Sequence, residues 1–203
     1  RYVYGTVKDG KTTWNPERAA RHEEIIDEFL QNGTVSDQPT AYLVGGPMAA
    51  GKTTLIDLLR NKGDLPAKSE TTYINPDAIK EYLPEFEEFK KLKEDRGATA
   101  IHEESSEISK ELLRRAVAEN RNILWDASFT GASAPKQIKM LKDAGYKGIA
   151  YAIQAPVEEA VARSQRRAIR EDRGVPSSVL LGSHKLAPKL VDTLANADSL
   201  RFY

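Results

Sequence analysis

Gly45-Gly46-Pro47-Met48-Ala49-Ala50-Gly51-Lys52-Thr53-Thr54 follows a short apolar run, Ala41-Tyr42-Leu43-Val44, and precedes a helical pattern, Leu55, Ile56, Leu58, Leu59. From Gly46 to Thr53 the stretch satisfies G-x-x-x-x-G-K-[ST], the phosphate-binding loop. Each fixed position has a physical reason. Glycines let the backbone bend so that successive N–H groups converge on phosphate oxygens, and the helix behind them adds its dipole. Lys52 supplies a point charge for the β- and γ-phosphates, and the Thr53 hydroxyl is a candidate Mg²⁺ ligand. At average composition the pattern arises by chance in roughly one chain in a hundred of this length. The strand–loop–helix setting lowers that further, against the alternative of a glycine-rich turn with a surface lysine. Gly46, Pro47, Met48, Ala49, Ala50, Gly51, Lys52, Thr53 and Thr54 are therefore the candidate nucleotide-binding residues, for ATP or GTP with Mg²⁺.

The 203 residues suffice for one domain with a sizeable core. Lys plus Arg and Asp plus Glu are equal at 30 each, so no global field draws the chain to nucleic acid or membrane. The absence of cysteine excludes disulfides, thiolate metal sites and a cysteine nucleophile. No apolar run approaches membrane-spanning length and no signal-peptide pattern opens the chain, which predicts a cytoplasmic protein. The chain starts at Arg1 without a methionine and stops in a strand-like run, as a trimmed chain would.

Outward from the loop, strands and helices alternate. Strands are predicted at Ala41–Val44, Thr71–Asp77, Ile123–Asp126, Gly148–Ile153 and Leu200–Tyr203. Helices are predicted from Asn15-Pro16 to Asn32-Gly33, from Ala78 to Tyr82, from about Ala98 to Asn120 and from Pro135 to Ala144. Two more follow, from Pro156 to about Asp172 and from Ser177 to Ala195 with an interruption at Pro188. The mixed-sign stretch Glu85 to Arg96 reads as solvated, and Trp14 and His22 read as packing residues. The predicted fold is α/β, a P-loop NTPase with a five-stranded, mainly parallel sheet and helices on both faces. Residues 1–37 are predicted to form an N-terminal helical extension on the core, and residues 38–203 the P-loop kinase domain.

In such a sheet ligands sit beyond the carboxyl ends of the strands, where Asp77 and Asp126 fall. Asp77 is either a base on an acceptor hydroxyl or the N-cap of the helix that follows. Asp126 is either a Walker-B-type carboxylate for Mg²⁺ or a buried, hydrogen-bonded acid. Arg163, Arg166, Arg167, Arg170 and Arg173 recur at helical spacing on one face. A basic face serves solvent, a nucleic-acid backbone, or a lid that stabilises a transferring phosphoryl group. The last fits a phosphate loop best.

The order of phosphate loop, Asn75-Pro76-Asp77-Ala78-Ile79-Lys80, His102-Glu103-Glu104-Ser105, Asn122-Ile123-Leu124-Trp125-Asp126, Arg173-Gly174-Val175-Pro176 and His184 resembles the zeta toxin kinases over roughly residues 38–203. The resemblance implies an ATP-dependent kinase acting on a small-molecule hydroxyl, in studied members that of UDP-N-acetylglucosamine, and an antitoxin partner. It makes Lys52 the phosphate-loop lysine, Asp77 the base, Asp126 the third-strand acid and Arg173 a lid arginine, with Arg166 as its companion. Lys80, Glu103, Asp77 and Asp126 become the candidate acceptor-binding residues. One departure stands out: where toxin members carry a substrate-binding glutamate on the long helix, this chain has Lys110, with Glu103 and Glu107 earlier on that helix. The same parts would serve a nucleoside, antibiotic or polynucleotide hydroxyl, or a nucleotide-binding module without transfer activity. A zero net charge argues against a nucleic-acid acceptor.

Overall fold

A computed structural model of the protein describes residues 5–8, 11–86, 88, 101–171 and 177–203. The short strands β1 (Gly5–Lys8) and β2 (Lys11–Trp14) pair antiparallel, and Asn15 then caps α1 (Pro16–Leu30) by accepting from the Arg18 N–H at 2.8 Å. The sheet that follows is built from β3 (Thr40–Gly45), β4 (Thr72–Ile74), β5 (Ile123–Ala127), β6 (Lys147–Ala152) and β7 (Ser199–Phe202). Its order is β4-β5-β3-β6-β7, and all four ladders are parallel. The strand bearing the phosphate loop is thus central. Helices α2 (Lys52–Asn61), α3 (Pro76–Lys80), α4 (His102–Ala118), α5 (Ala134–Asp143), α6 (Val157–Glu171), α7 (Ser177–Lys185) and α8 (Ala187–Leu194) connect the strands.

Alternation along the central strands divides the interior into two layers. Ala41, Leu43, Ile123, Trp125, Ala150 and Ala152 point to one face, where they pack with Ile25 and Ile26 of α1, Ile108 and Leu112 of α4, Ile138 of α5 and Leu190 of α8. Val44, Leu124 and Tyr151 point to the other, against Leu55, Ile56 and Leu59 of α2. Among the described residues no helix is long and apolar enough to cross a membrane.

Several expectations shift in detail. The strand expected over Thr71–Asp77 ends at Ile74, because Asn75 turns the chain and caps α3, accepting from the N–H groups of Asp77 at 2.7 Å and Ala78 at 3.3 Å. Asp77 is therefore not the cap; it lies in the first turn. The long helix is described from His102 to Ala118. The final helical stretch breaks at Leu186 rather than Pro188, since proline fits the first turn of α8 without loss of a helical hydrogen bond. Glu85, read as the start of a solvated stretch, is only 7% exposed.

Candidate active site

The phosphate loop leaves β3 where a side chain would not fit. A Cβ on Gly46 would meet Ile153 Cγ2 at 2.7 Å and Ile153 O at 2.8 Å. Two loop residues adopt left-handed backbone, Ala49 at φ 57° and Gly51 at φ 105°. Glycine adopts that conformation freely, whereas Ala49 carries strain held in place by its surroundings. Three side chains brace this backbone. Arg163 Nη1 of α6 donates to Ala50 O at 3.0 Å and pairs with Glu159 through its other terminal nitrogen. From α7, Ser183 Oγ accepts from the Met48 N–H at 3.0 Å and His184 Nε2 donates to Met48 O at 2.9 Å. Lys52, at the start of α2, curls back so that Nζ donates to Gly46 O at 3.2 Å. Thr53 and Thr54 are exposed on the same turn, and the unpaired N–H groups of a helix start face the loop.

On the β4–β5 side Asp126 is 4% exposed. Its Oδ2 accepts from the Tyr73 hydroxyl at 2.9 Å and Asn75 Nδ2 at 2.8 Å. Its Oδ1 is buried with no hydrogen-bond partner. Burial pushes this carboxyl above its ordinary range, against the opposing Lys52 charge and the two hydrogen bonds. A buried carboxylate oxygen with a free lone pair, close enough to the phosphate-loop lysine to feel its charge, suits a hydrated Mg²⁺ shared with phosphate oxygens.

Asp77 stands on the outer wall of this side. Its Oδ1 accepts from Lys80 Nζ at 2.8 Å, and Lys80 itself is nearly buried. The Asp77 side chain is 73% exposed; desolvation by its surroundings works against the charge, but Lys80, then His102 and Lys52, outweigh it and hold the carboxyl below the ordinary range. His102 and Glu103 are exposed at the first turn of α4. Glu107 is occupied elsewhere, accepting from Trp14 Nε1 at 3.1 Å, and Lys110 is exposed.

On the β6–β7 side a cavity of about 470 Å³ opens beside the loop. Ala50, Gly51, Leu55, Leu58, Ile153, Pro156 and Tyr203 give it apolar walls, and Arg163 and Glu159 close one end. The fold thus places an apolar cavity on one side of the phosphate loop and the carboxylates on the other.

Of the residues singled out in the sequence, the structure brings Lys52, Asp77, Lys80 and Asp126 to one rim. Arg163 reaches the loop, whereas Arg166 is exposed with Nε on its own helix carbonyl, Ala162 O, at 3.2 Å. The Arg170 side chain and Arg173 lie outside the described residues. Asn75, Tyr73 and Ser183 were missed as site residues. The Asn-Pro dipeptide was a readable signal for Asn75, because the same pair opens α1; nothing local marks the other two.

A phosphate loop on the central strand of a β4-β5-β3-β6-β7 parallel sheet, with a buried acid at the end of the adjoining strand, defines a P-loop NTPase fold. The zeta toxin profile matches residues 26–202, and the chain belongs to that family. Toxin zeta of Streptococcus pyogenes is 24% identical over 137 residues, which are 67% of this chain and 46% of that protein. The chain therefore spans about half the length of the curated relatives it matches. Among solved structures it is similar to the PezAT chromosomal toxin-antitoxin system of Streptococcus pneumoniae, with a TM-score of 0.71 at 16% identity over 94% of this chain and 78% of that one. It is also similar to AvrRxo1-ORF1:-ORF2 with ATP, with a TM-score of 0.72 at 20% identity over 98% of this chain and 70% of that one. At such identities the structural likeness speaks for the fold.

Proposed function

We propose that this chain is an ATP-dependent kinase that moves the γ-phosphoryl group to a hydroxyl of a small molecule, a sugar nucleotide such as UDP-N-acetylglucosamine. The observation that carries the reading is the phosphate loop on the central strand, with Lys52 at its helix start, beside a buried acid, Asp126, whose Oδ1 has no hydrogen-bond partner. The ATP in a structurally similar complex and the family's toxin–antitoxin relatives support the nucleotide and a protein partner. In this reading the base of ATP enters the apolar cavity beside Tyr203, the phosphates lie on the N–H groups of the loop, and the acceptor approaches from the Asp77 wall.

Thr53 and Asp126 would hold Mg²⁺, which when bound offsets phosphate charge. Lys52 orients the β- and γ-phosphates. Asp77 takes the proton of the acceptor hydroxyl as its oxygen bonds to γ-phosphorus and the bond to the β-bridging oxygen breaks, releasing ADP. Asp77 is held ionised by Lys80, so it is ready to accept at neutral pH. Lys80, Glu103 and Asp126 line the acceptor side, and Arg166 and Arg173 are proposed to meet the transferring group. Residues 38–203 form the kinase domain in this reading, with residues 1–37 an extension on it and the cytoplasm as its site of action.

The test is ADP production from ATP with UDP-N-acetylglucosamine, other sugar nucleotides and nucleosides, each beside the Lys52→Ala protein. Acceptor-dependent ADP that vanishes in Lys52→Ala is expected. ATP binding without transfer to any acceptor would overturn the reading and leave a nucleotide-binding module.

A further inference from the structure

We infer that Arg18 is a positioning residue for the acceptor side of the site: from α1 it pins both the segment that follows α3, through Glu85, and the first turn of α4, so that α3 with Asp77 and Lys80 is held against the helix that carries His102 and Glu103. The inference rests on the reading of that wall as the acceptor side. Arg18 lies ahead of the family-matched segment, which begins at residue 26, so the likeness to zeta toxins does not supply it.

The geometry is a doubly bidentate arginine. Nη1 and Nη2 donate to Glu85 Oε1 and Oε2 at 2.9 and 2.7 Å, while Nε and Nη2 donate to Glu104 Oε1 and Oε2 at 2.6 and 2.9 Å. All three side chains are buried. His22 adds a bond from Nε2 to Glu104 Oε1 at 2.6 Å, and Trp14 packs edge-on against its ring at 4.8 Å. α1 grips the same segment a second time, through Arg21 Nη2 to Tyr82 O at 2.9 Å and Phe29 against Tyr82 at 5.2 Å. The base of this strut is firm, because Ile25 and Ile26 lie in the main core.

Its position is what points to the site. Glu85 lies in the segment after α3 and Glu104 in the first turn of α4, so one guanidinium fixes these two elements relative to each other. On a helix, neighbouring residues are about 100° apart, so holding Glu104 inward sets the rotation of α4 and with it the direction of His102 and Glu103. Glu85 likewise follows closely on α3 with Asp77 and Lys80, in a stretch rooted by Ile79, Leu83 and Phe86. Packing alone does not explain the choice of residues, because apolar side chains of similar volume stabilise a buried position as well as an ion cluster does. A planar fork that meets two carboxylates bidentately fixes orientation, which apolar packing does not.

The experiment compares the full chain with Arg18→Lys, which keeps the charge and loses the fork, by hydrogen–deuterium exchange and kinetics. Faster exchange is expected in residues 76–86 and 101–108, with residues 46–61 unchanged and ATP affinity within about twofold. With UDP-N-acetylglucosamine as acceptor, KM for the acceptor should rise about tenfold while KM for ATP holds. A second variant, Arg18→Met with Glu85→Gln and Glu104→Gln, removes the buried charges together. It should regain thermal stability and keep the fast exchange of the wall, whereas a merely structural role would restore both. Unchanged exchange in both wall segments, or an equal rise in residues 46–61, overturns the inference. A wild-type protein that phosphorylates no acceptor counts against the kinase reading alone, since the exchange comparison still decides the role of Arg18.

Discussion

Asn75 and Asp126 are joined by a hydrogen bond of 2.8 Å from the carboxamide Nδ2 to carboxylate Oδ2, while the other end of the same carboxamide caps α3. One side chain thus ties the helix that carries Asp77 to the acid at the end of β5. The two carboxylates of the site are held in register through an uncharged residue that contacts both elements.

Replacing Asn75 by Ala should therefore have two separable effects. Loss of the cap should cost about 0.5–2 kcal/mol of stability. Loss of the Nδ2 donor should also weaken Mg²⁺-dependent nucleotide binding. Asn75→Asp keeps an acceptor for the cap but sets a second carboxylate against buried Asp126, so any loss of stability should come from that repulsion and ease on acidification, with metal binding still altered. Thermal melts with metal titrations on both variants check this; equal metal affinity in all three proteins would refute it.

Asp77→Asn should leave the fold nearly intact, because Asn75 is the cap and the pair with Lys80 is largely solvent-exposed on the aspartate side. A change of about 1 kcal/mol or less is expected. The transfer rate should fall by about 10²–10⁴, the usual worth of a positioned base, with ATP affinity kept. An unimpaired rate per folded molecule would place the base elsewhere, with Glu103 the next candidate.

The pH dependence should divide the two acids. Burial raises the Asp126 carboxyl, so on acidification Asp126 takes up its proton above the ordinary carboxylate range, while Asp77, held down by Lys80, stays ionised. Metal-dependent nucleotide binding should weaken over that interval. The fold should not weaken through Asp126, because a raised folded-state value means that protonation relieves a buried charge. Metal titrations at a series of pH values, beside thermal melts, test the split; a binding midpoint at or below the usual carboxylate value of about 3.9 would contradict it.

Arg18→Met should be strongly destabilising although it lies far from the phosphate loop in sequence. It removes the guanidinium that both Glu85 and Glu104 accept from while leaving the two carboxylates buried, at a cost of about 3–5 kcal/mol. Burial raises the Glu104 carboxyl, but His22 and Arg18 outweigh it and hold the group below its ordinary value. The stability it contributes in the wild type is thus present above the ordinary value and is lost as pH falls through the lowered one. The deficit of Arg18→Met should accordingly shrink in acid, and urea unfolding at neutral and acidic pH would show whether it does.

The phosphate loop was legible from sequence because backbone chemistry fixes its glycines, its lysine and its hydroxyl at set spacings. The sheet was legible because β3, β5 and β6 are buried on both faces and read as apolar runs. Asn75 was half-legible: Asn15-Pro16 was read as cap and first helical residue, and Asn75-Pro76 repeats that signal, but the acidic Asp77 beside it drew the assignment. The Arg18, Glu85 and Glu104 cluster was not legible. Each member lies in a charged helical or mixed-sign setting, and only the tertiary meeting of α1, α4 and the segment after α3 buries them. Arg163 illustrates a related limit, since helical spacing groups it with Arg166 while the two guanidiniums go to different places.

The contacts of Arg163, Ser183 and His184 with Ala50 and Met48 bear on how tightly a ligand can be held. A glycine-rich loop left to itself samples many conformations, and an anion that binds it must first narrow that ensemble. Here α6 and α7 have already narrowed it during folding, down to the left-handed Ala49. Less of the attraction between phosphate and loop then goes into ordering the chain, and more of it is expressed as affinity.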